Sequence, residues 1–461
     1  MLVAGVDSST QSTKILLCRA EDGEVVARGS APHPGGTECD PAAWWSALQQ
    51  AGDGLLDRAD AIGVAGQQHG MVVLDEAGDV IRPALLWNDL RSAAAARALI
   101  AEHGGPAWWA EHTGSVPNGS FTVTKLRWLA DHEPEHAART RLVLLPHDWL
   151  TWRLGATEPV TDRGDASGTG YFTPATGRWR PDLAAAALGH EPGLPRVAAP
   201  AGVVGQTPTG AVLAPGTGDN MGAALGLGLE PGEMVISIGT SGTAYAVTSV
   251  PAADASGAVA GFADATGRFL PLIATVNAGL VLAATASLIG TDLAGLNDQA
   301  LAAQPGAGGI TLLPYLDGER TPNRPDATGV LRGLTTQNAT SQNLARAAVE
   351  AVLATLAEAA DLVAAQGVER RRVLLIGGGA RSPAVRAIAP GIFGVPVAVP
   401  EPEEYVALGA ARQAAWVLAG TPDPPDWPRR GVREYTGPPQ PAIRSRLAAL
   451  REATTTWEGK D

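Results

Sequence analysis

Leu2-Val3-Ala4-Gly5-Val6-Asp7-Ser8-Ser9-Thr10-Gln11-Ser12 reads as an apolar strand over 2–7 that ends in an aspartate and a hydroxyl-rich turn, with a second strand at 13–19. The pattern returns in the second half: Glu233-Met234-Val235-Ile236-Ser237-Ile238 is a strand, Gly239-Thr240-Ser241-Gly242 a turn, and 243–247 another strand. One supersecondary unit therefore stands at the head of each half, which is the mark of an internal repeat. Turns of Ser, Thr and Gly leave backbone N–H groups and hydroxyls uncovered. Two such hairpins facing each other are expected to hold a polyphosphate.

Working outward, Ala214-Pro215-Gly216-Thr217-Gly218-Asp219-Asn220-Met221-Gly222 sets a carboxylate in a Gly-rich turn just before an Ala/Gly-rich helix. Asp219 is the candidate catalytic base, because a helix start supplies N–H donors and a positive dipole end to an incoming phosphoryl group. Upstream, Asp22-Gly23 turns the chain into a strand at 24–28, and Asp40-Pro41 caps and opens a helix carrying Trp44, Trp45 and Leu48. The strand 61–65 empties into Gly66-Gln67-Gln68-His69-Gly70, whose amides and imidazole offer donors and acceptors to a polyhydroxylated ligand. Leu86-Trp87-Asn88-Asp89 has the same character.

His132-Glu133-Pro134-Glu135-His136 imitates a zinc-protease motif, but Pro134 disfavours helical geometry at Glu133 and splits the helix the motif needs. Asp162-Arg163-Gly164-Asp165-Ala166-Ser167-Gly168 carries no motif that its chemistry alone explains. The Pro/Gly-rich stretch 199–218 reads as a domain junction, which places one domain at 1–213 and a second at 214–461. Helices are expected at 276–290, 341–366, 405–418 and 442–453. The strand 372–376 breaks into Gly377-Gly378-Gly379-Ala380-Arg381-Ser382, where glycines let a ligand approach the backbone at the start of another helix.

A chain of 461 residues, 45% hydrophobic and 18% charged, fits two or three globular domains. Its net charge of −13 argues against a nucleic-acid partner. The lysines are Lys14, Lys125 and Lys460, so phosphate contacts must come mainly from backbone N–H, hydroxyls, Arg or a metal. Cys18 and Cys39 form no metal or redox spacing. The apolar run 276–289 is too short for a membrane span, and the N-terminus opens directly into a strand, so a cytoplasmic protein with no membrane partner is expected. The P-loop and protein-kinase motifs are absent.

Taken in order, Gly5-Val6-Asp7, Gly66-Gln67-Gln68-His69-Gly70, Trp87-Asn88-Asp89, Gly218-Asp219-Asn220, Gly239-Thr240-Ser241-Gly242, Gly318-Glu319-Arg320-Thr321-Pro322 and Ile376-Gly377-Gly378-Gly379-Ala380-Arg381-Ser382 resemble the FGGY carbohydrate kinases over nearly the whole chain. That resemblance implies an α/β fold of two actin-like domains around a central cleft, the first binding sugar and the second nucleotide. It implies Asp219 as the base for the sugar hydroxyl and Asp7 as a catalytic group acting on Mg²⁺ and phosphate. Gln68, His69, Trp87, Asp89 and Asn220 are the implied sugar contacts. Thr10, Gly239, Thr240, Ser241, Gly378, Gly379 and Ser382 are the implied nucleotide contacts. Ser9 departs from the pattern, since many relatives have Gly there. Gln-Gln-His-Gly sets the chain apart from the glycerol- and gluconate-kinase branches, and the implied reaction is phosphorylation of D-xylulose at O5 with ATP and Mg²⁺; the oligomeric state is not read from the sequence, a homodimer being one assembly it allows.

Competing readings are a kinase of ribulose, glycerol or gluconate, a ribokinase-like enzyme, and a non-catalytic sugar sensor or actin-like scaffold. The ribokinase-like reading leaves the N-terminal hairpin unused and expects a single domain.

Overall fold

The computed structural model describes residues 1–457. The chain forms two compact units. One comprises Met1–Leu229, Thr248–Pro271 and Glu403–Arg429, and the other Glu230–Val247, Leu272–Pro402 and the described residues from Arg430 onward. This division differs from the expected one at 213/214.

In the first unit, Leu2–Ser8 pairs antiparallel with Ser12–Arg19, which pairs with Val25–Pro32. On its other side Leu2–Ser8 runs parallel to Ala61–Gly66, and Ala61–Gly66 in turn pairs parallel with Val212–Leu213 and Thr217–Gly218. The central strands Leu2–Ser8 and Ala61–Gly66 are buried on both faces, because helices cover both, whereas the edge strand Val25–Pro32 alternates with exposed positions. Ala4, Val6, Ile15, Leu17, Ile62 and Val64 pack with Trp44 and Leu48 of the helix Pro41–Gly52. That helix is capped by Asp40, which accepts from the Ala42 N–H at 2.9 Å. The alternate residues Val3, Leu16, Cys18 and Ala61 pack with Ala407, Ala411, Ala414 and Ala415 of the helix Tyr405–Ala419.

Tyr405–Ala419 lies unusually close to its neighbours. A Cβ on Gly5 would stand 1.8 Å from the Ala407 carbonyl oxygen, and one on Gly63 would stand 2.2 Å from that of Ala410. The helix also presses on Asp219–Gly226: a Cβ on Gly409 would stand 1.8 Å from the Gly222 oxygen. Gln413 bonds both the N–H and the carbonyl of Gly216, at 3.0 and 3.1 Å.

The expected junction at 199–218 is corrected by this sheet. Gly205–Gln206, Val212–Leu213 and Thr217–Gly218 are short strands of the first unit, and the prolines and glycines turn the chain between them. Pro and Gly mark turns whether a linker or an edge meander contains them.

The second unit repeats the arrangement. Glu233–Ile238 and Gly242–Ala246 form an antiparallel hairpin, Phe269–Thr275 pairs with its outer strand, and Arg372–Ile376 runs parallel to its inner one. Val397–Val399 and Arg433–Tyr435 extend the sheet. The expected helices appear as Gly279–Leu288, Ser341–Ala364, Tyr405–Ala419 and Pro441–Ala453. After Gly377 a 3₁₀ turn, Gly378–Arg381, precedes the helix Pro383–Phe393, because Ser382 is its N-cap and accepts from the Val385 N–H.

In the first unit the helices Thr122–His132 and Pro134–Arg139 are separate, broken at Glu133 (φ −131°, ψ 60°), so no single helix carries His132 and His136. Among the described residues no single helix is long and apolar enough to cross a membrane.

Gly409→Ala is expected to force a backbone shift that a flexible side chain cannot absorb, costing at least about 1–3 kcal/mol as overpacking does. Urea unfolding of parent and variant measures this, and equal midpoints would show that the contact relaxes freely.

Candidate active site

The parallel pairing on both sides of Ala61–Gly66 decides what meets at the strand ends. Gly66 is level with Ser8 on one side and with Gly218 on the other. Asp7, Gln67-Gln68-His69 and Asp219 therefore leave the same edge of one sheet, where parallel α/β sheets present their ligand-binding loops. The sequence proposed each residue separately, and the register brings them together.

Asp219 opens its helix, and its two oxygens differ. Oδ1 accepts from the backbone N–H and the Nδ2 of Asn220, each at 2.8 Å, while among the described residues none bonds to Oδ2. Asn220 Nδ2 also donates to Gln68 Oε1 at 2.9 Å, and Gln68 Nε2 is buried without a partner. Desolvation, with added repulsion from Asp7 and Asp165, pushes the Asp219 carboxyl up to about 7 against the opposing bonds from Asn220. Asp7 is 3% exposed, and desolvation pushes it to about 6 although the Ser9 hydroxyl donates to its Oδ1. Lys14 lowers Asp7 and Glu404 raises it, and these two are themselves paired at 2.7 Å. Ser9, the departure from the family pattern, is thus the hydrogen-bond partner of a candidate catalytic carboxylate.

His69 holds a left-handed backbone, φ +67°, which is unfavourable for a residue with a Cβ. Its carbonyl accepts from Lys125 Nζ at 2.7 Å and Thr122 Oγ1 at 3.3 Å, which fixes the conformation. Burial drives the Lys125 ammonium well below its usual range despite the pull of Asp89. The His69 ring stacks on Phe121 with centroids 4.8 Å apart, lies 5.7 Å from Phe262, and donates from Nδ1 to the Gly168 carbonyl at 2.6 Å. In the neutral ring Nε2 is then the acceptor nitrogen. A Cβ on Gly168 would stand 2.8 Å from this ring, so glycine is required there.

Lys125, Phe121, Phe262 and Gly168 escaped the sequence reading. Of these, Gly168 alone lay in a segment the sequence reading singled out, 162–168, and there without a role.

Trp87 and Thr10 meet: indole Nε1 donates to Thr10 Oγ1 at 2.8 Å, and that hydroxyl lies 3.4 Å from Gln67 Oε1. Thr10, expected on the nucleotide, thus sits among the expected sugar contacts. Asp89 is already engaged, accepting from Thr37 Oγ1 at 2.7 Å and from Arg91 Nε at 2.8 Å. Although burial opposes it, these bonds hold its carboxyl below the usual range, so it anchors its own loop.

In the second unit, Gly239, Thr240 and Ser241 are exposed at the hairpin turn. The three glycines after 376 have different jobs. A Cβ on Gly377 or Gly379 would collide with Ile238, at 2.7 and 2.2 Å, whereas one on Gly378 would meet nothing within 4 Å. Gly378 therefore leaves bare backbone facing open space, while Gly377 and Gly379 serve packing. Ser382 spends its hydroxyl on its helix cap and on Asn297.

Mg²⁺ prefers oxygen ligands and is usually held by one or two carboxylates together with substrate phosphates. Buried Asp7 and half-buried Asp219, whose carboxyl Asp7 repels, fit such a cation, since a positive charge would relieve what desolvation has imposed. Among the described residues no group of three or more His, Cys, Asp or Glu side chains suited to a metal is gathered.

Because Asp219 has a folded-state pKa near 7 against about 3.8 unfolded, its stabilising contribution is present below pH 4 and lost as pH rises through 7. In ligand-free, metal-free protein, Asp219→Asn is therefore expected to raise Tm at pH 8 and to leave it near the parent value at pH 4. Scanning calorimetry at both values tests this, and an equal or lower Tm at pH 8 would contradict it.

Residues 2–226 match the FGGY family of carbohydrate kinases, N-terminal domain, and residues 234–418 its C-terminal domain. The chain is 49% identical over 436 residues to a xylulose kinase of Streptomyces coelicolor, covering 91% of this chain and 88% of that one. It is 48% identical to the xylulose kinase of Streptomyces rubiginosus, with the same coverage. Its structure superposes with a TM-score of 0.90 on the crystal structure of xylulose kinase from Bifidobacterium adolescentis, at 44% identity, covering 98% of this chain and 99% of that one. With both halves matched by the family's two domains and relatives of 48–49% identity over 91% of its length, the chain belongs to the FGGY family of carbohydrate kinases.

Proposed function

We propose that this protein transfers the γ-phosphoryl group of ATP to O5 of D-xylulose. The observation that carries the reading is the asymmetry of Asp219: one oxygen is fixed by Asn220, which also bonds Gln68 Oε1, and the other accepts no bond from the described residues. A carboxylate held in this way can accept a hydroxyl hydrogen bond in one orientation, as a general base must. The choice of D-xylulose follows the similarity to the xylulose kinases and the Gln67-Gln68-His69-Gly70 segment.

In the mechanism, Gln68, His69 and Asn220 orient the sugar so that its reacting hydroxyl donates to Asp219 Oδ2. As the new O–P bond forms, the hydroxyl proton passes to Asp219, and the bond from γ-phosphorus to the bridging oxygen breaks with its electron pair leaving on ADP. The transferred group carries its own charge, so the protein supplies position and electrostatics more than covalent chemistry. Asp7 would hold Mg²⁺, which when bound offsets the negative charge of the phosphates. Exposed Thr240 and Ser241 and the bare backbone of Gly378 are assigned to the nucleotide. Trp87, Thr10 and Gln67 form a hydrogen-bonded wall behind the sugar. Asp89 is assigned to holding that wall.

Coupled ADP-release assays with D-xylulose, D-ribulose, L-ribulose, glycerol and gluconate test the substrate. The highest kcat/KM is expected for D-xylulose, and preference for glycerol or gluconate would overturn the assignment.

Asp219→Asn is expected to lower kcat by about 10²–10⁴, the range for loss of a general base, with nucleotide affinity little changed. Turnover within about tenfold of the parent would remove Asp219 from that role.

A further inference from the structure

The loop that presents Asp219 rests on a charged cluster for which the transfer step has no use. His147, Asp148 and Asp165 are fully buried and Asp162 is 2% exposed. His147 Nδ1 donates to Asp165 Oδ2 at 2.8 Å, and Nε2 lies 3.1 Å from Asp148 Oδ1 and 4.0 Å from Asp162 Oδ1. Burial would push this imidazole down, but the carboxylates of Asp148, Asp165 and Asp162 outweigh it and hold the ring at about 9. A buried ionic cluster is a poor source of stability, because packed apolar residues usually serve at least as well.

The cluster is directed at one segment. Asp162 Oδ2 accepts from Thr217 Oγ1 at 2.9 Å, and Thr217 is fully buried two residues before Asp219. The other bonds of Asp162, to the N–H groups of Gly164 and Asp165 at 2.9 Å, start the turn that carries Asp165. Gly216 lies flat on His147, where a Cβ would stand 2.5 Å from Cδ2, and its φ of +82° is one that glycine adopts without strain. A Cβ on Gly218 would stand 3.3 Å from Asp165 Oδ1, an oxygen that is buried and without a partner. Each residue from 216 to 218 thus touches a different member of the cluster.

We propose that Thr217, Asp162, His147 and Asp165 form a positioning network for phosphoryl transfer, holding the 216–218 segment so that the open oxygen of Asp219 meets the sugar hydroxyl. The proposal rests on Asp219 being the base. It makes Thr217 the link through which the network acts, and it predicts a loss in the chemical step with binding left intact.

The test compares parent, Thr217→Val, Thr217→Ser, Asp162→Asn, the Thr217→Val/Asp162→Asn double variant and Asp219→Asn, each with MgATP and the sugar that gives the highest turnover. Valine keeps the shape of threonine and removes one bond to a charged group, a loss of about 10–100-fold in kcat. KM for sugar and for ATP is expected to stay within about twofold. Thr217→Ser, which keeps the hydroxyl, should return kcat to within about threefold of the parent. The double variant should be no slower than Asp162→Asn alone, as members of one network are not additive. A purely structural role would lower Tm in both Thr217 variants without this split.

If Thr217→Val keeps kcat within about threefold, or Thr217→Ser falls as far, the network assignment is overturned while an inactive Asp219→Asn leaves the base assignment standing. If Asp219→Asn itself turns over normally, the base assignment fails first.

Discussion

The parallel pairing of Ala61–Gly66 with Leu2–Ser8 on one side and Thr217–Gly218 on the other is the constraint on which the site depends. Backbone hydrogen bonds fix the ends of three strands at one level, and three loops then deliver Asp7, Gln68 with His69, and Asp219 to one edge. The helix Tyr405–Ala419 makes that edge rigid. It crosses Gly5 and Gly63 too closely for any side chain and presses equally on the helix that begins at Asp219. A segment about four hundred residues from the N-terminal strand in sequence therefore locks the strand and the candidate base together.

The electrostatics run against stability. Asp7 and Asp219 are desolvated, Asp7 repels the Asp219 carboxyl, and the two stand at about 6 and 7. Such groups cost free energy in the empty protein, and they suit a site that expects a hydroxyl proton and a cation. Beneath them, burial raises the Asp162 and Asp165 carboxyls and the neighbouring His147 ring opposes that rise. Buried polar atoms without a partner occur in both units, and Gln67 Nε2, Gln68 Nε2 and Asp165 Oδ1 are the ones that belong to the segments around this loop. A protein selected for stability alone would not leave donors and acceptors unmatched there.

The repeated hairpin shows how one backbone solution serves two chemistries. In each unit an apolar strand ends in a turn, returns antiparallel, and is flanked on its inner side by a parallel strand. In the first unit the turn carries Asp7 and Ser9, and Ser9 is bonded back onto the carboxylate. In the second the turn is Gly239-Thr240-Ser241, which carries no acid and stays open to solvent. The architecture supplies position, and the side chains at the turn supply function.

Much of this was legible in the residues. The strands at 2–8, 12–19, 61–66, 233–238 and 372–376 are each built on a short apolar core such as Ile15-Leu16-Leu17 or Val373-Leu374-Leu375, and most are followed by a turn rich in Gly, Ser or Thr. The cap at Asp40 and the break at Pro134 follow from local sterics and one hydrogen bond each. Asp219, Gln68 and His69 could be proposed as site residues because several polar turns at strand ends occur together in one chain, although each alone reads as an ordinary turn. The division of the units was not legible. Ala199–Gly218 carries the composition of a linker, and only pairing with a strand some hundred and fifty residues earlier makes it part of a sheet.

Nor could the sequence assign Thr10 to a bond with Trp87, engage Asp89 with Arg91, or bring Lys125 beneath His69. Local sequence determines what a segment can form, since propensity, capping and turn chemistry act over a few residues. Which charges meet and which are left open is decided by long-range packing, and only the tertiary structure carries that information.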